Sequence, residues 1–318
     1  MKRALIVGAS GQDGRLLGEL LLSKGYLVHG LTRIAPSADL PWECSQINIL
    51  DSTDVDACLG KTRPDEIYYL AAFHHSAQDK ISMSVRDLFQ RSFDVHVYGL
   101  TNFLETIKTK FPMTRLFYAS SSHVFGLPSQ EKQTESTPVI PISPYGISKA
   151  AGMACCRHYR EHGSIHASAG ILYNHESNLR NVEFLSRKIT DGIGKIMHNR
   201  DHKIILGDLN ARVDWGYAPD YVEAMLQIVQ MPYADDYIIA TGESHSVEEF
   251  VEKAFECVGL DWRNHVEEDS QILWNKRLGG PLVGDSTKLR QSTGWMPTVT
   301  FAEMVCKLVN YHLAEMLK

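Results

Sequence analysis

The sequence predicts an α/β chain: a doubly wound parallel sheet followed by a smaller C-terminal lobe. Three observations carry this. Short apolar runs alternate with helix-period segments as far as Tyr173, a glycine-rich turn joins the first run to the first helix, and the rhythm changes after Tyr173.

Taken in order, Arg3 to Val7 reads as a buried strand, and Gly8-Ala-Ser-Gly11-Gln-Asp-Gly14 leads into an amphipathic helix through Leu22. Leu27 to Thr32 is a second strand. Ile47 to Asp51 is a third, with Asp51-Ser-Thr-Asp54 capping the helix that follows. Glu66 to Ala72 makes the fourth strand, a long helix runs from about Val85 to Lys108, and Arg115 to Ser120 is the fifth strand. Tyr145 to His162 is a helix and Ile165 to Tyr173 the sixth strand. Beyond a polar loop, Asn174 to Asn181, helices are expected at Phe184 to His198, Pro219 to Met231, Ser246 to Val258 and Thr300 to Leu317. The implied division is a dinucleotide-binding unit over 1–173, rejoined by 209–241, with a substrate lobe from 174–208 and 242–318. Ligands of open α/β sheets bind at the carboxyl edge of the strands, which this lobe would close over.

Composition excludes several classes. The 318 residues are 44% hydrophobic and 22% charged, with a net charge of −6 and no basic block, so nucleic acid is not an expected partner. No apolar run reaches bilayer length, and the first one is too short for a signal peptide, so no membrane is expected and the expected address is cytoplasmic. The six cysteines (Cys44, Cys58, Cys155, Cys156, Cys257, Cys306) have no metal-site spacing, so no metal is expected and reduced structural thiols are the default.

Gly8-x-x-Gly11-x-x-Gly14 allows a tight turn, close approach of a pyrophosphate and close helix–strand packing. The second strand ends Leu31-Thr32-Arg33, with no carboxylate before Asp39. An arginine there suits a 2′-phosphate, so NADP is the expected cofactor; the plain alternative is a solvated turn residue. Gln12 and Asp13 in the turn, Asn48, and Ala71 at the end of the fourth strand complete the candidate cofactor set with Tyr145 and Lys149.

Tyr145 and Lys149 lie four residues apart and share a helix face. An ammonium beside a phenol lowers the phenol's pKa, making a base for a secondary alcohol. Such a pair alone is common on helix surfaces. Here it follows a dinucleotide turn and a strand ending Ser120-Ser121-Ser122, from which a serine can orient the same hydroxyl.

These residues resemble the extended short-chain dehydrogenase/reductases, a Rossmann-fold group, and within it the GDP-mannose 4,6-dehydratases. The resemblance runs nearly full length. It rests on Gly11-Gln-Asp-Gly14, Asn174-His-Glu-Ser177, Arg187-Lys-Ile189, Asp214-Trp-Gly216, Asp220-Tyr-Val-Glu-Ala-Met225 and Ala240-Thr-Gly-Glu243 with His245-Ser-Val247. It implies C4 oxidation of a GDP-linked sugar by resident NADP, loss of water across C5 and C6, and a 4-keto-6-deoxy product. By position it implies Tyr145 as the C4 base, Lys149 as its partner and Ser121 in the usual threonine place. It further implies Ser122, Asn174, Lys188, Arg212 and Arg277 as substrate contacts, and a homodimer or higher homo-oligomer.

The match breaks at one catalytic place. The family's Ser-Thr-Ser-Glu is here Ser120-Ser121-Ser122-His123, so the glutamate that removes the C5 proton is absent. Three readings stand: His123 is the base, His123 marks a 4-reductase or epimerase that does not dehydrate, or it is a polar residue of the pocket wall. Ala72-Phe73-His74-His75 and Val213 before Asp214 also depart from the family pattern. A non-catalytic NADP-binding protein is the remaining alternative, against which Ser121, Tyr145 and Lys149 argue together.

Overall fold

The computed structural model describes residues 1–33, 40–74, 83–269 and 280–316. Strand β1 (Arg3–Val7) is central because it is apolar on both faces, as strands covered on both sides must be. Helix α1 (Gln12–Ser23) follows it, then β2 (Leu27–Thr32), β3 (Glu43–Gln46), α2 (Ser52–Thr62) and β4 (Glu66–Tyr69). Next come α3 (Val85–Phe93), a π-helical turn at Asp94–Gly99, α4 (Leu100–Lys110), β5 (Arg115–Ala119), α5 (Pro144–Gly163) and β6 (Ala167–Leu172). The later elements are β7 (Asn174–Glu176), α6 (Leu185–His198), β8 (Ile204–Leu206), β9 (Arg212–Val213), β10 (Trp215–Tyr217), α7 (Ala218–Gln230) and β11 (Asp236–Ile239). The described chain closes with β12 (His245–Ser246), α8 (Val247–Glu256), β13 (Val266–Glu268), α9 (Thr287–Thr293) and α10 (Phe301–Met316).

The main sheet has seven strands in the order β11-β6-β5-β4-β1-β2-β3, and every described pairing in it is parallel. Leu5 and Val7 pack to one side with α4 and α5; Ala4 and Ile6 pack to the other with α1 and α7. A third apolar cluster gathers Ile189 and Ile193 of α6, Phe250 and Phe255 of α8, and Met304 and Val305 of α10. Strand order reverses between β1 and β4, and a crevice opens there at the carboxyl ends.

The doubly wound parallel sheet is as expected from the sequence. Several details differ: Asn174–Glu176, expected as polar loop, is a strand paired with Trp215–Tyr217, the fourth strand ends at Tyr69 instead of Ala72, and α9 was not among the expected helices. The third strand is Glu43–Gln46, pairing with His29–Thr32, whereas Ile47 and Ile49 pack on the core from a loop. The Asp51 cap is present, its carboxylate accepting from the Thr53 amide at 2.8 Å. Strand β11, only four residues long, was not anticipated, and the long helix is broken by the π turn. Finally, Cys257 and Cys306 form a disulfide between α8 and α10, correcting the expectation of reduced thiols. They are 49 residues apart, so only the packing of α8 on α10 brings them together. Among the described residues, no helix is long and apolar enough to cross a membrane.

Candidate active site

The glycine turn is shaped by backbone contact. Gly8 has φ +97, and a Cβ on it would meet the Ala71 nitrogen at 2.8 Å. A Cβ on Gly14 would collide with the Gly8 carbonyl, so α1 can start against the strand only without one. The Gly8 and Ala9 amides donate to the Leu31 carbonyl at 2.9 and 3.1 Å, fixing the turn beside β2. Above it lies a cleft of about 500 Å³ whose walls include Gly8, Gly11, Thr32, Arg33, Asn48 and Ala71. Its apolar walls, bare glycine backbone and helix N-terminus suit a dinucleotide. Arg33, the residue after β2, borders the cleft.

A second cavity, about 210 Å³, adjoins it and brings together Ser120, Ser121, His123, Tyr145, Lys149 and Asn174. The local sequence explains this convergence. Ser121 caps a 3-10 turn at Ser122–Phe125, its hydroxyl accepting from the His123 amide at 3.3 Å. Ser143 caps α5, with Pro144 in its first turn, so Tyr145 and Lys149 enter the cavity from the helix start. Gly146 is required there because a Cβ would meet the His123 carbonyl at 2.6 Å.

The Tyr145 ring is met edge-on by three imidazoles: His74 at 5.2 Å, His96 at 5.4 Å and His123 at 5.7 Å between centroids. Lys149 Nζ donates to the Ala119 carbonyl at 2.7 Å and sits 5.6 Å from the Tyr145 ring centroid. Burial pushes the Tyr145 phenol up to about 12, against the Ser121 hydroxyl and Arg180, which pull it down. Burial also brings Lys149 down to about 7. This corrects the expectation of a phenol already lowered by its lysine: desolvation outweighs the Ser121 hydroxyl and Arg180, and the lysine itself is disfavoured as a cation in the same dry site.

Gln12 and Asp13 do not line the cofactor cleft. They tie the glycine turn to the Asn-His-Glu-Ser segment: Gln12 bonds the His175 carbonyl at 3.2 Å and the Ser177 hydroxyl at 2.9 Å. Asp13 faces His175 Nε2 at 3.0 Å, and His175 Nδ1 meets the Tyr173 carbonyl at 2.7 Å. A ring nitrogen facing a carbonyl must donate, so the imidazole is cationic when Nε2 donates as well. Burial disfavours the charge on Asp13, yet the imidazolium beside it holds the carboxyl at about 2. Burial likewise opposes charge on His175, and Asp13 overrides it, raising the imidazole above 6.5.

A pH dependence follows from these directions. Asp13 contributes stability above about pH 4, lost as pH falls towards 2, and His175 contributes below about pH 6.5, lost as pH rises through its folded value. The pair is therefore fully present between about pH 4 and 6.5. Melting temperatures measured against pH are expected to decline above that window, with a flatter alkaline limb in His175→Gln; identical limbs would refute the pairing.

The other sequence-predicted residues divide. Ser122, His123, Asn174 and Arg212 share a small cavity of about 40 Å³. The Arg212 guanidinium, however, is held by Glu249 at 3.0 Å and by the Ser244 carbonyl at 2.5 Å. Lys188 is half-buried in the first turn of α6 and lines neither cavity. Arg277 and His75 lie outside the described residues. Sequence reasoning missed His96, His175 and Arg180 as site residues. Arg180 and His175 line the cavity around Tyr145, and Arg180 lies over the Phe184 ring at 3.7 Å. Their nearness to Asn174-His-Glu-Ser177 was the available signal; mid-helix His96 gave none.

Known proteins resemble this chain in sequence and in fold. The sequence pattern of the GDP-mannose 4,6 dehydratase family matches residues 5–308. GDP-mannose 4,6 dehydratase 1 of Arabidopsis thaliana is 36% identical over 332 residues, covering 98% of this chain and 90% of that protein. The Homo sapiens GDP-mannose 4,6 dehydratase is 36% identical over 341 residues, covering 96% and 90%. Among solved structures, a dTDP-glucose 4,6-dehydratase from Bacillus anthracis in complex with NAD superposes with TM-score 0.82 at 20% identity, covering 99% and 97%. A UDP-glucose 4-epimerase from Thermotoga maritima with UDP-glucose gives 0.83 at 20% identity, covering 99% and 100%. At that identity the structures speak for the fold alone, but the full-length sequence match goes further: the chain belongs to the GDP-mannose 4,6-dehydratase family.

Proposed function

We propose that this chain is an NADP-dependent lyase converting a GDP-linked hexose, GDP-mannose in the first instance, to its 4-keto-6-deoxy form. The observation that supports it best is the meeting of Ser121, His123, Tyr145 and Lys149 in one cavity beside the glycine-lined cleft. Bound in that cleft, NADP supplies the acceptor for oxidation at C4 and the donor for reduction at C6, so the overall reaction is redox-neutral. Ser121 orients the C4 hydroxyl and Tyr145 takes its proton, with Lys149 lending positive charge below about pH 7. A ketone at C4 acidifies C5; His123 removes that proton and passes it to the departing C6 hydroxyl, which leaves as water, and the C5–C6 double bond so formed takes hydride at C6 and a solvent proton at C5. Asp13 is the one carboxylate among the described residues lining the cavity, and it is paired with His175. His74 and His123 are the other imidazoles of the cavity besides His175, and His123, standing in the glutamate's place, is the proposed base.

Asn174 and Ser122 are proposed as substrate contacts, with Arg212, Lys188 and Arg277 as candidates for the nucleotide. Residues 174–208 and 242–318 form the proposed substrate lobe on the unit of 1–173 and 209–241. A homodimer or higher oligomer through α3, α4 and α5 belongs to the same proposal; Val85 and Tyr98, on the helices packed against α5, are 65% and 55% exposed.

The deciding experiment incubates purified protein with GDP-mannose and NADP in deuterated water. Loss of one water with deuterium at C5 supports the dehydratase. Absence of a glutamate at His123 favours a second reading, a 4-reductase or epimerase; retention of the 6-hydroxyl or net consumption of reduced cofactor would establish it. Arg33→Glu is expected to weaken NADP by about 10-fold or more and NAD far less, since only NADP brings a phosphate to repel. Equal loss for both cofactors would remove Arg33 from the site.

A further inference from the structure

We propose that His96 is a positioning residue for hydride transfer, joining the wall shared by the cofactor cleft and the catalytic cavity to the helix that carries Tyr145. The inference rests on Tyr145 being the C4 base. His96 is fully buried in the π turn at Asp94–Gly99. Such turns leave backbone groups without helical partners, and they persist where something holds them. Here the Tyr69 hydroxyl donates to the Val95 carbonyl at 2.6 Å, and Gly99 leaves room for it: a Cβ there would meet that oxygen at 2.6 Å. The π turn thereby carries His96 towards α5.

Both ring nitrogens are bonded, and the chemistry of the partners fixes the tautomer. The Phe73 amide can only donate, so Nε2, 3.0 Å away, accepts. The proton of the neutral ring is then on Nδ1 and goes to Ser148 Oγ at 2.8 Å. Ser148 in turn donates to the Tyr145 carbonyl at 2.9 Å. Burial holds the imidazole well below the ordinary histidine range, and Lys149 pushes the same way, so the ring stays neutral as the bonding requires. Its plane meets the Tyr145 ring at 84°. On the other side, Gly152 lets α5 approach: a Cβ on it would meet the His96 carbonyl at 2.7 Å.

The linked segments are the ones whose separation matters. Ala71, Ala72 and Phe73 line the cofactor cleft, while Ala72 and His74 also line the cavity containing Tyr145. A shift of that wall against α5 changes the distance over which hydride must pass, and errors of about 1 Å cost on the order of 100-fold in rate.

The test uses full-length protein with NADP and GDP-mannose, comparing His96→Phe, Ser148→Ala and the double variant. Ser148→Ala removes one hydroxyl and carries the test if His96→Phe fails to fold. Each single change is expected to lower kcat per cofactor-loaded site by about 10- to 100-fold with KM within about three-fold. The isotope effect from C4-deuterated substrate should rise, and the double variant should be no worse than His96→Phe. An unchanged isotope effect, losses that multiply, or a fall only in the loaded fraction would overturn the proposal. Should the wild type fail to turn over GDP-mannose, histidine nitrogen NMR of the NADP-loaded protein decides independently. His96 is expected to remain a neutral Nδ1–H ring from about pH 5 to 9, and Ser148→Ala to shift the Tyr145 resonance; a titrating His96 or an unmoved Tyr145 would overturn it.

Discussion

Tyr145→Phe is expected to lower hydride transfer by about 10²- to 10⁴-fold while NADP affinity stays within about two-fold. The change removes one oxygen and keeps the ring, so the edge-on contacts of His74, His96 and His123 survive. The cofactor cleft is walled by Gly8, Arg33, Asn48 and Ala71 instead, so its binding surface is largely untouched. Single-turnover absorbance of reduced nicotinamide and a cofactor titration separate the two quantities. Turnover at the wild-type rate would end the assignment of Tyr145 as base. The structure adds a reason for the size of the loss. Burial holds the phenol at about 12, so it works as a base only where positive charge gathers beside it. Arg180, lining the same cavity, supplies such charge, and so does Lys149 while protonated, burial having brought it to about 7.

The doubly wound sheet was legible because its signals are local. A strand, a turn that only glycine at residues 8 and 14 permits, and a helix start lie within a few residues of one another. Tyr145 and Lys149 were legible for the same reason, being one helical turn apart. What escaped depends on contacts distant in sequence. β11 is a short edge strand defined by its pairing with β6, and the Cys257–Cys306 bond exists because α8 packs on α10. The expected pKa of Tyr145 had the wrong direction because spacing reveals the neighbouring lysine and not the dryness of the cavity. His96 is hidden most completely, since a histidine inside a helical segment carries no periodic or motif signal. Its meaning comes from a π turn that Tyr69 and Gly99 make room for.

His123→Ala is expected to abolish loss of water, by about 10²-fold or more, while leaving oxidation at C4 close to wild type. The two half-reactions separate because their residues do. Ser121, Tyr145 and Lys149 remain in place, and the His123 amide bond to Ser121 Oγ is made by backbone that alanine keeps. The oxidised 4-keto sugar should then accumulate with bound reduced cofactor, seen by absorbance, and with no deuterium entering C5 from solvent. The pH profile gives a second handle. A carboxylate base produces an acid limb near pH 4, whereas an imidazole produces one near neutrality. Restoring the family's residue with His123→Glu should therefore carry the acid limb of elimination to lower pH. Solvent exchange at C5 that persists in the alanine variant would remove His123 from the reaction. The reductase or epimerase reading would then take its place.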